Sequence, residues 1–316
     1  MTPPDHGAER SRVVAVVVTF NRLALLQRLL DALRDVTRLD EILVVDNAST
    51  DGTTEWLASR PWDRLVETKV PVHVEHLGRN TGGAGGFHAG LETALERGAD
   101  LAWLMDDDGL PQPDCLDLLL KEDDLDFWGP LVVDEADPGR LVFPIRLPGG
   151  TRVVYDLADA EAAAKGGRID EIVIPFNGVL VTSELVKQIG LPREEFFIWG
   201  DDHEYRLRAE KAGARVATIV GAQVHHPSIG ALGTPMMFGK TTYNHSPSDL
   251  KHYCMARNNL VNLREYRGPL HAAAFVVKTV WFYAFTKPSP ARIRLSAQAM
   301  VAGLRGDFTG HRRFLK

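Results

Sequence analysis

The sequence predicts an α/β fold, a mostly parallel sheet flanked by helices and followed by a C-terminal helical region. Three observations carry this. From Val13 onward, short apolar runs alternate with helical patterns, as in a parallel sheet covered by helices. Leu26, Leu29, Leu30 and Leu33 fall at helical spacing between the first two runs. The fourth run, LAWLM, stops at Asp106, Asp107 and Asp108, and Gly109, Pro111 and Pro113 then force a turn. Open α/β sheets bind ligands at such strand ends.

The elements follow in order. Residues 1–12 are polar, lack a signal-peptide core and read as disordered. Val13 to Thr19 is a buried strand, and an amphipathic helix follows it. Glu41 to Val45 is the second strand, DNASTDGT a turn, and Thr53 to Arg60 a short helix. Val70 to Glu75 is the third strand, and a helix through Arg97 leads into the acid-tipped fourth. Asp126 to Val133 contains a strand. Asp134 to Arg168 is rich in Gly, Pro and acids and shows no clear period. Ile172 to Val181 reads as a strand, Ser183 to Gly190 as a capped helix, Asp202 to Gly213 as a helix closed by glycine, and Arg215 to Val224 as the last strand before HHP. From Lys251 the chain is helical, broken at Gly268-Pro269 and Lys287-Pro288. The expected division is a catalytic domain over 13–250 and a helical, basic region over 251–316.

Composition sets bounds. The 316 residues suit one large or two modest domains. Two cysteines, Cys115 and Cys254, build neither a disulfide framework nor a zinc ribbon and fit a reducing compartment. No apolar run is long enough to span a bilayer, since Lys278 interrupts the longest, Ala272 to Phe285. The overall charge is −6, yet Arg264 to Lys316 holds ten Lys and Arg against two acids. An acidic body with a basic, partly apolar tail fits an anionic membrane surface rather than nucleic acid. A helical dimer contact or a core helix is the other reading of the tail.

Several stretches carry chemistry. On a strand, Asp106 and Asp108 share a face. Two such carboxylates repel, and a divalent cation removes the penalty; a solvated acidic turn is the plainer alternative. Thr19, Asn21, Asp46, Asn47 and Asp51 follow the first two strands, where they can bond a base and a ribose or cap turns. Gly82 to Gly86 holds four glycines before a helix, Gly83 among them, and permits close approach to a sugar or phosphate. In FFIWGDDHEYRLR, acids open a helix, so capping and general-base duty are both open. Arg206 and Arg208 can be ion-pair partners there. His225 and His226 end the last strand, where a third metal ligand fits.

The order TFNR, VVDNASTDGT, GRNTGGAGG, the D-x-D strand end, FNG, WGDDHEYRLR and HH resembles the inverting nucleotide-sugar glycosyltransferases of family 2, with the GT-A fold. The resemblance spans about Val13 to His226. More narrowly, the chain resembles the actinobacterial galactofuranosyltransferases that initiate cell-wall galactan. That resemblance implies a UDP-galactofuranose donor and a polyprenyl-diphosphate-linked rhamnosyl-GlcNAc acceptor. It also implies a peripheral place on the inner, cytoplasmic face of the plasma membrane, with a homo-oligomer as an open possibility. The runner-up is a rhamnosyltransferase using dTDP-rhamnose on a polyprenyl-diphosphate-GlcNAc acceptor. By the resemblance, Thr19, Asn21, Asp46 and Asn80 bind uridine. Asp106, Asp108 and His226 hold Mn²⁺ or Mg²⁺, and Asp107 lies near the ribose or sugar. Asp202 is the catalytic base, Asp201 binds the acceptor, and Trp199 stacks on it. Many relatives carry an acid where Trp199 stands, which leaves the Asp201/Asp202 assignment open by one residue.

Two other classes compete. A sugar-1-phosphate nucleotidyltransferase needs a Gly-rich basic loop after the first strand, and Thr19-Phe20-Asn21-Arg22 is not one. A non-catalytic lipid-binding module predicts nucleotide binding indifferent to metal.

Overall fold

The computed structural model describes residues 10–60, 62, 70–230 and 233–315. Expectations for residues 1–9 lie outside that set. Arg10 and Arg12, expected to be disordered, are instead tied down. Arg10 pairs with Asp40 at 2.8 Å, and Arg12 with Glu41 at 2.6 Å.

The first half alternates as expected. Strand β1 (Val13–Thr19) leads to helix α1 (Leu23–Arg34), β2 (Glu41–Asp46) to α2 (Thr53–Ala58), and β3 (Val72–His76) to α3 (Gly82–Glu96), with β4 (Leu101–Asp106) closing the run. Then come β5 (Leu110–Pro111), α4 (Cys115–Leu119) and β6 (Phe127–Asp134). The stretch without a clear period folds as β7 (Arg140–Arg146), β8 (Val153–Asp156), α5 (Leu157–Ala163) and β9 (Arg168–Asp170). Next are β10 (Asn177–Thr182), α6 (Ser183–Ile189), α7 (Asp201–Lys211) and β11 (Val216–His226). A hairpin of β12 (Thr234–Met236) and β13 (Thr241–Tyr243) precedes three helices, α8 (Asp249–Asn262), α9 (Pro269–Trp281) and α10 (Pro290–Leu304).

Three strands differ from expectation by more than a residue. The third strand, expected over Val70 to Glu75, runs from Val72 to His76. The strand expected from Ile172 starts only at Asn177, because Pro175 lacks an amide donor and Phe176 holds φ at +61°. The last strand runs on through both histidines to His226. The breaks at Gly268 and Lys287 fall where proline geometry places them, and Pro269 and Pro290 open the next helices.

The sheet order is β3-β2-β1-β4-β10-β6-β11-β5. β1, β2, β3 and β4 are parallel neighbours. β10 runs antiparallel to both β4 and β6, and β11 is parallel to β6. Two reversals restore the original direction. The carboxyl ends of β1, β2, β4 and β11 therefore all reach one edge.

β1 is buried throughout, the fate of a Val-rich strand at the centre of a doubly covered sheet. The α1 leucines pack on one face with Trp103 and Trp128. Phe87 and Leu91 of α3 and Tyr205 of α7 cover the other. The C-terminal helices have their own core around Tyr253, Leu260, Ala272 and Met300.

Much of the glycine cluster serves this packing. α3 begins at Gly82 itself, and a Cβ on Gly86 or Gly90 would overlap Val18 or Val16 of β1. Gly83 faces open space. Gly90→Ala should destabilise the fold by about 1–3 kcal/mol through overpacking against stiff valines, read as a lower urea midpoint.

Candidate active site

The site begins with strand register. Thr19 lies opposite Asp46, and Val18 opposite Asp106, so the ends of β1, β2 and β4 align. Asp106 is the last residue of β4, and Asp107 and Asp108 occupy the turn after it. The acids therefore do not alternate along one strand, because Gly109 and the prolines end it early. The turn aims them separately. Asp107 is buried and accepts a 2.7 Å hydrogen bond from the Thr19 hydroxyl. Arg22 Nη1 bridges the turn, donating to Asp107 Oδ1 at 3.1 Å and Asp108 Oδ2 at 2.6 Å.

His226 reaches the same turn. Its Nε2 lies 3.2 Å from Asp108 Oδ1, and its Nδ1 lies 2.7 Å from the Pro227 carbonyl. A carbonyl only accepts, so Nδ1 carries a proton; the contact with Asp108 is a hydrogen bond when Nε2 is protonated as well, and the neutral ring offers its Nε2 lone pair to a cation instead. His225 instead faces Gln112, 3.0 Å away. Of the expected metal set, Asp108 and His226 meet. The Asp106 side chain stands beside them with no hydrogen bond among the described residues. No three acidic, His or Cys side chains form a ready-made cage there. A carboxylate with an oriented imidazole nevertheless fits Mn²⁺ or Mg²⁺ in donor chemistry, and Arg22 is the resident positive charge.

Crowding three acids has electrostatic effects. Burial, then the charges of Asp108 and Asp107, pushes the Asp106 carboxyl well above the usual range. Burial lifts Asp107 to about 6 against the pull of Arg22. For Asp108, burial is outweighed by His226 and Arg22, and the carboxyl stays low. His226 is raised in turn, because its bond to Asp108 overcomes burial.

The neighbouring loops are tightly bonded. Asn21, at φ +54°, accepts from the Thr50 amide at 2.7 Å. Asp46 is buried and accepts from the Ser49 amide and the Thr54 hydroxyl, with His76 at 3.1 Å. Asn80 accepts from the Gly82 amide at 2.8 Å. Asn47 binds Thr81 and the Gly82 carbonyl and so ties the second loop to the third. Asn21, Thr50 and Asn80 line an open cleft of about 860 Å³.

Across the edge stands the N-terminus of α7. The chain enters it through Phe197, Trp199 and Gly200, all at φ between +66° and +84°. Helix α8 holds this turn. Asn258 Nδ2 donates to the carbonyls of Phe196, Ile198 and Trp199, and Asn262 Nδ2 to that of Gly200. Arg257, fully buried, donates to the carbonyls of Glu195 and Phe196. Trp199 packs partly against the cluster of Met236 and Phe282.

Asp201 and Asp202 open α7 with different surroundings. Asp201 is buried, and its charge acts on Asp106 and Cys254. Burial, reinforced by Asp202, pushes Asp201 up to about 8. Asp202 Oδ1 accepts from the His203 amide at 2.6 Å. Burial raises Asp202 too, opposed by that bond and by the Arg206 charge. Arg206 and Arg208 pair with Glu210 and Glu204 on the same helix, and Arg206 also acts through its charge on Asp202.

Sequence reasoning passed over Arg22, which stands in the quoted TFNR, and the α8 clamp, which no short motif announces. The folded state keeps a proton on Asp201 that the unfolded chain releases above its ordinary carboxylate value. Stability contributed by that proton is therefore lost as pH rises from about 4 to about 8. Asp201→Asn should flatten this slope in urea midpoints measured across the window.

The sequence profile of Glycosyl transferase family 2 matches residues 14–127. Galactofuranosyltransferase GlfT1 of Mycobacterium tuberculosis is 33% identical over 88% of this chain and 90% of its own. The dTDP-rhamnosyl transferase RfbF of Shigella flexneri is 26% identical over 96% of this chain and 98% of its own. The fold resembles the crystal structure of GalNAc-T7 with UDP, GalNAc and Mn²⁺, at a TM-score of 0.58 and 13% identity, over 96% of this chain and 58% of that one. The architecture is that of the GT-A glycosyltransferases. An acid-tipped β4, a histidine brought to it by β11 and carboxylates on the facing helix thus stand in a chain that belongs to glycosyl transferase family 2.

Proposed function

We propose that this glycosyltransferase moves galactofuranose from UDP-galactofuranose to a polyprenyl-diphosphate-linked rhamnosyl-GlcNAc acceptor, with inversion and with a divalent cation. The observation that carries the site reading is the 3.2 Å meeting of Asp108 and His226, two residues far apart in sequence at the edge that also holds Asp201 and Asp202. The donor reading rests on the 33% identity to a galactofuranosyltransferase. The weaker similarity to a dTDP-rhamnosyl transferase keeps dTDP-rhamnose as the competing donor.

In this reading Asp108 and His226 would hold Mn²⁺ or Mg²⁺, with Asp106, whose side chain makes no hydrogen bond among the described residues, as a further carboxylate of the same strand end. Bound there, the cation neutralises charge growing on the departing diphosphate. Arg22 adds a fixed positive charge beside the same group. Thr19, Asn21, Asp46 and Asn80 shape the nucleoside side, Gly83 leaves room for close approach, and Asp107 orients Thr19 and Arg22. Asp202 takes the acceptor proton as the oxygen attacks the face opposite the leaving group. The amide bond and Arg206 favour its ionised form. Asp201, protonated at neutral pH, donates to an acceptor oxygen, and Trp199 borders that subsite. One displacement inverts the anomeric centre without a covalent intermediate, by the logic of inverting glycosidases.

The acceptor's lipid brings the membrane into the reading. No described helix is long and apolar enough to cross a bilayer. α9 and the turn after it nevertheless expose Leu270, Val277, Val280 and Phe285, and Lys278 and Lys287 lie nearby. An apolar stripe beside basic groups suits an interface.

Two measurements test this. Asp202→Asn should lower kcat by about 10²–10⁴ with donor KM little changed, and His226→Ala should abolish the Mn²⁺ dependence of UDP binding. Undiminished transfer in Asp202→Asn would remove it as the base, and turnover of dTDP-rhamnose without UDP-galactofuranose would hand the donor to the alternative. Separately, the double change Val277→Asp and Phe285→Asp should reduce co-sedimentation with anionic phosphatidylglycerol vesicles while leaving UDP binding intact. Unchanged sedimentation would exclude this face.

A further inference from the structure

The chain after α10 returns to the sheet edge and ends its described part in a tight helical turn, Gly310–Phe314. His311, Arg312 and Phe314 of that turn line the same cleft as Asn21, Thr50 and Asn80. The turn is built into the fold. Arg257 donates to the Phe308 carbonyl at 2.9 Å. His311 stacks on Phe197 with ring centroids 4.5 Å apart, and Phe308 on Phe196 at 5.5 Å. A Cβ on Gly310 would overlap the Tyr253 hydroxyl, so the backbone lies directly on α8. Arg313 is also engaged, donating to Gln298 at 3.1 Å.

Arg312 differs from its neighbours. It is an exposed residue of the cleft lining, and its guanidinium makes no hydrogen bond or ion pair among the described residues. Its charge is felt by His311, but no group of the fold bonds it, while the residues on either side of it are fixed. A guanidinium offers a planar fork of donors to carbonyl and hydroxyl oxygens, and its flat face stacks on aromatic rings. The cleft falls in the size range of small-molecule sites.

We propose that the turn Gly310–Phe314 is the outer wall of the nucleotide cleft, and that Arg312 reaches from it to the nucleoside half of the bound donor. The inference rests on the nucleotide-sugar reading above. It adds a binding group from a segment remote in sequence from the strand-end loops. It also makes the C-terminal helices part of the donor site, because Arg257 fixes both the wall and the turn before α7.

Calorimetric titration of the full chain with UDP and with UMP, in Mn²⁺, tests it. Arg312→Ala should weaken both ligands by about tenfold, the usual size of a lost charged hydrogen bond. It should raise donor KM by a similar factor and leave kcat unchanged. Arg312→Lys should also bind less tightly, since it keeps the charge and loses the planar fork. Arg305→Ala, outside the cleft, should bind as wild type. The melting temperature of Arg312→Ala should equal that of wild type, because the side chain bonds nothing in the fold. Wild-type affinity in Arg312→Ala overturns the inference alone. Weakened UDP with unchanged UMP overturns the nucleoside assignment. A wild-type chain that binds no UDP overturns this inference and the donor reading together.

Discussion

The site depends on one helix gripping one turn. Asn258, with Asn262 beside it, satisfies four consecutive or near-consecutive carbonyls from Phe196 to Gly200. That segment holds left-handed backbone at Phe197 and Trp199, conformations that cost of order 1–3 kcal/mol each and persist only when surroundings impose them. Side-chain amides suit the task, since one NH₂ group can serve several converging carbonyls. Arg257 is stranger, a fully buried cation whose bonds are chiefly to carbonyl oxygens. It makes no direct ion pair among the described residues, and the charges of Asp307 and Glu195 support it from further off. The carboxylates of α7 are therefore aimed by a helix that contributes no carboxylate of its own to them.

Opposite this clamp, the acid turn manages its own repulsion. Three adjacent aspartates at a strand end cannot all ionise cheaply. The fold answers with Arg22 across Asp107 and Asp108, a hydroxyl from Thr19, and His226 against Asp108. Asp106 receives no such partner and bears the largest penalty. The pattern leaves one carboxylate well placed to gain from an added cation, which fits the proposed role of this edge.

Much of the architecture was legible in the sequence, for identifiable reasons. β1, β2 and β4 are continuous apolar runs with sharp polar ends, and their boundaries fell within a residue of expectation. α1 was marked by its leucine spacing, and Gly268 and the prolines set the helix breaks. Less legible was everything that depends on long-range pairing. Strands β7 to β9 sit in a stretch whose composition says loop; β6 offers β7 a partner, β7 in turn pairs β8, and β11 pairs β9. The D-x-D geometry was misplaced because the turn starts one residue after Asp106. The glycine cluster carried no sign that three of its members face β1, Phe197 or Thr81. The clamp on α8 and the wall at 310–314 were invisible, since polar helix residues and a short basic tail look like ordinary surface.

The reversed strand β10 has a wider consequence. It is a seam between two blocks whose strands run alike, β3-β2-β1-β4 on one side and β6-β11 on the other. Thr19, Asp46 and Asp106 belong to the first block. His226 belongs to the second, and the α7 carboxylates precede its last strand. Among the described residues, only β10 joins the ladders of the two blocks, through its pairing with β4 and with β6. If the proposed roles hold, a scaffold divided this way keeps its donor-side loops on one block and its acceptor-side carboxylates beside the other, so the two can diverge separately.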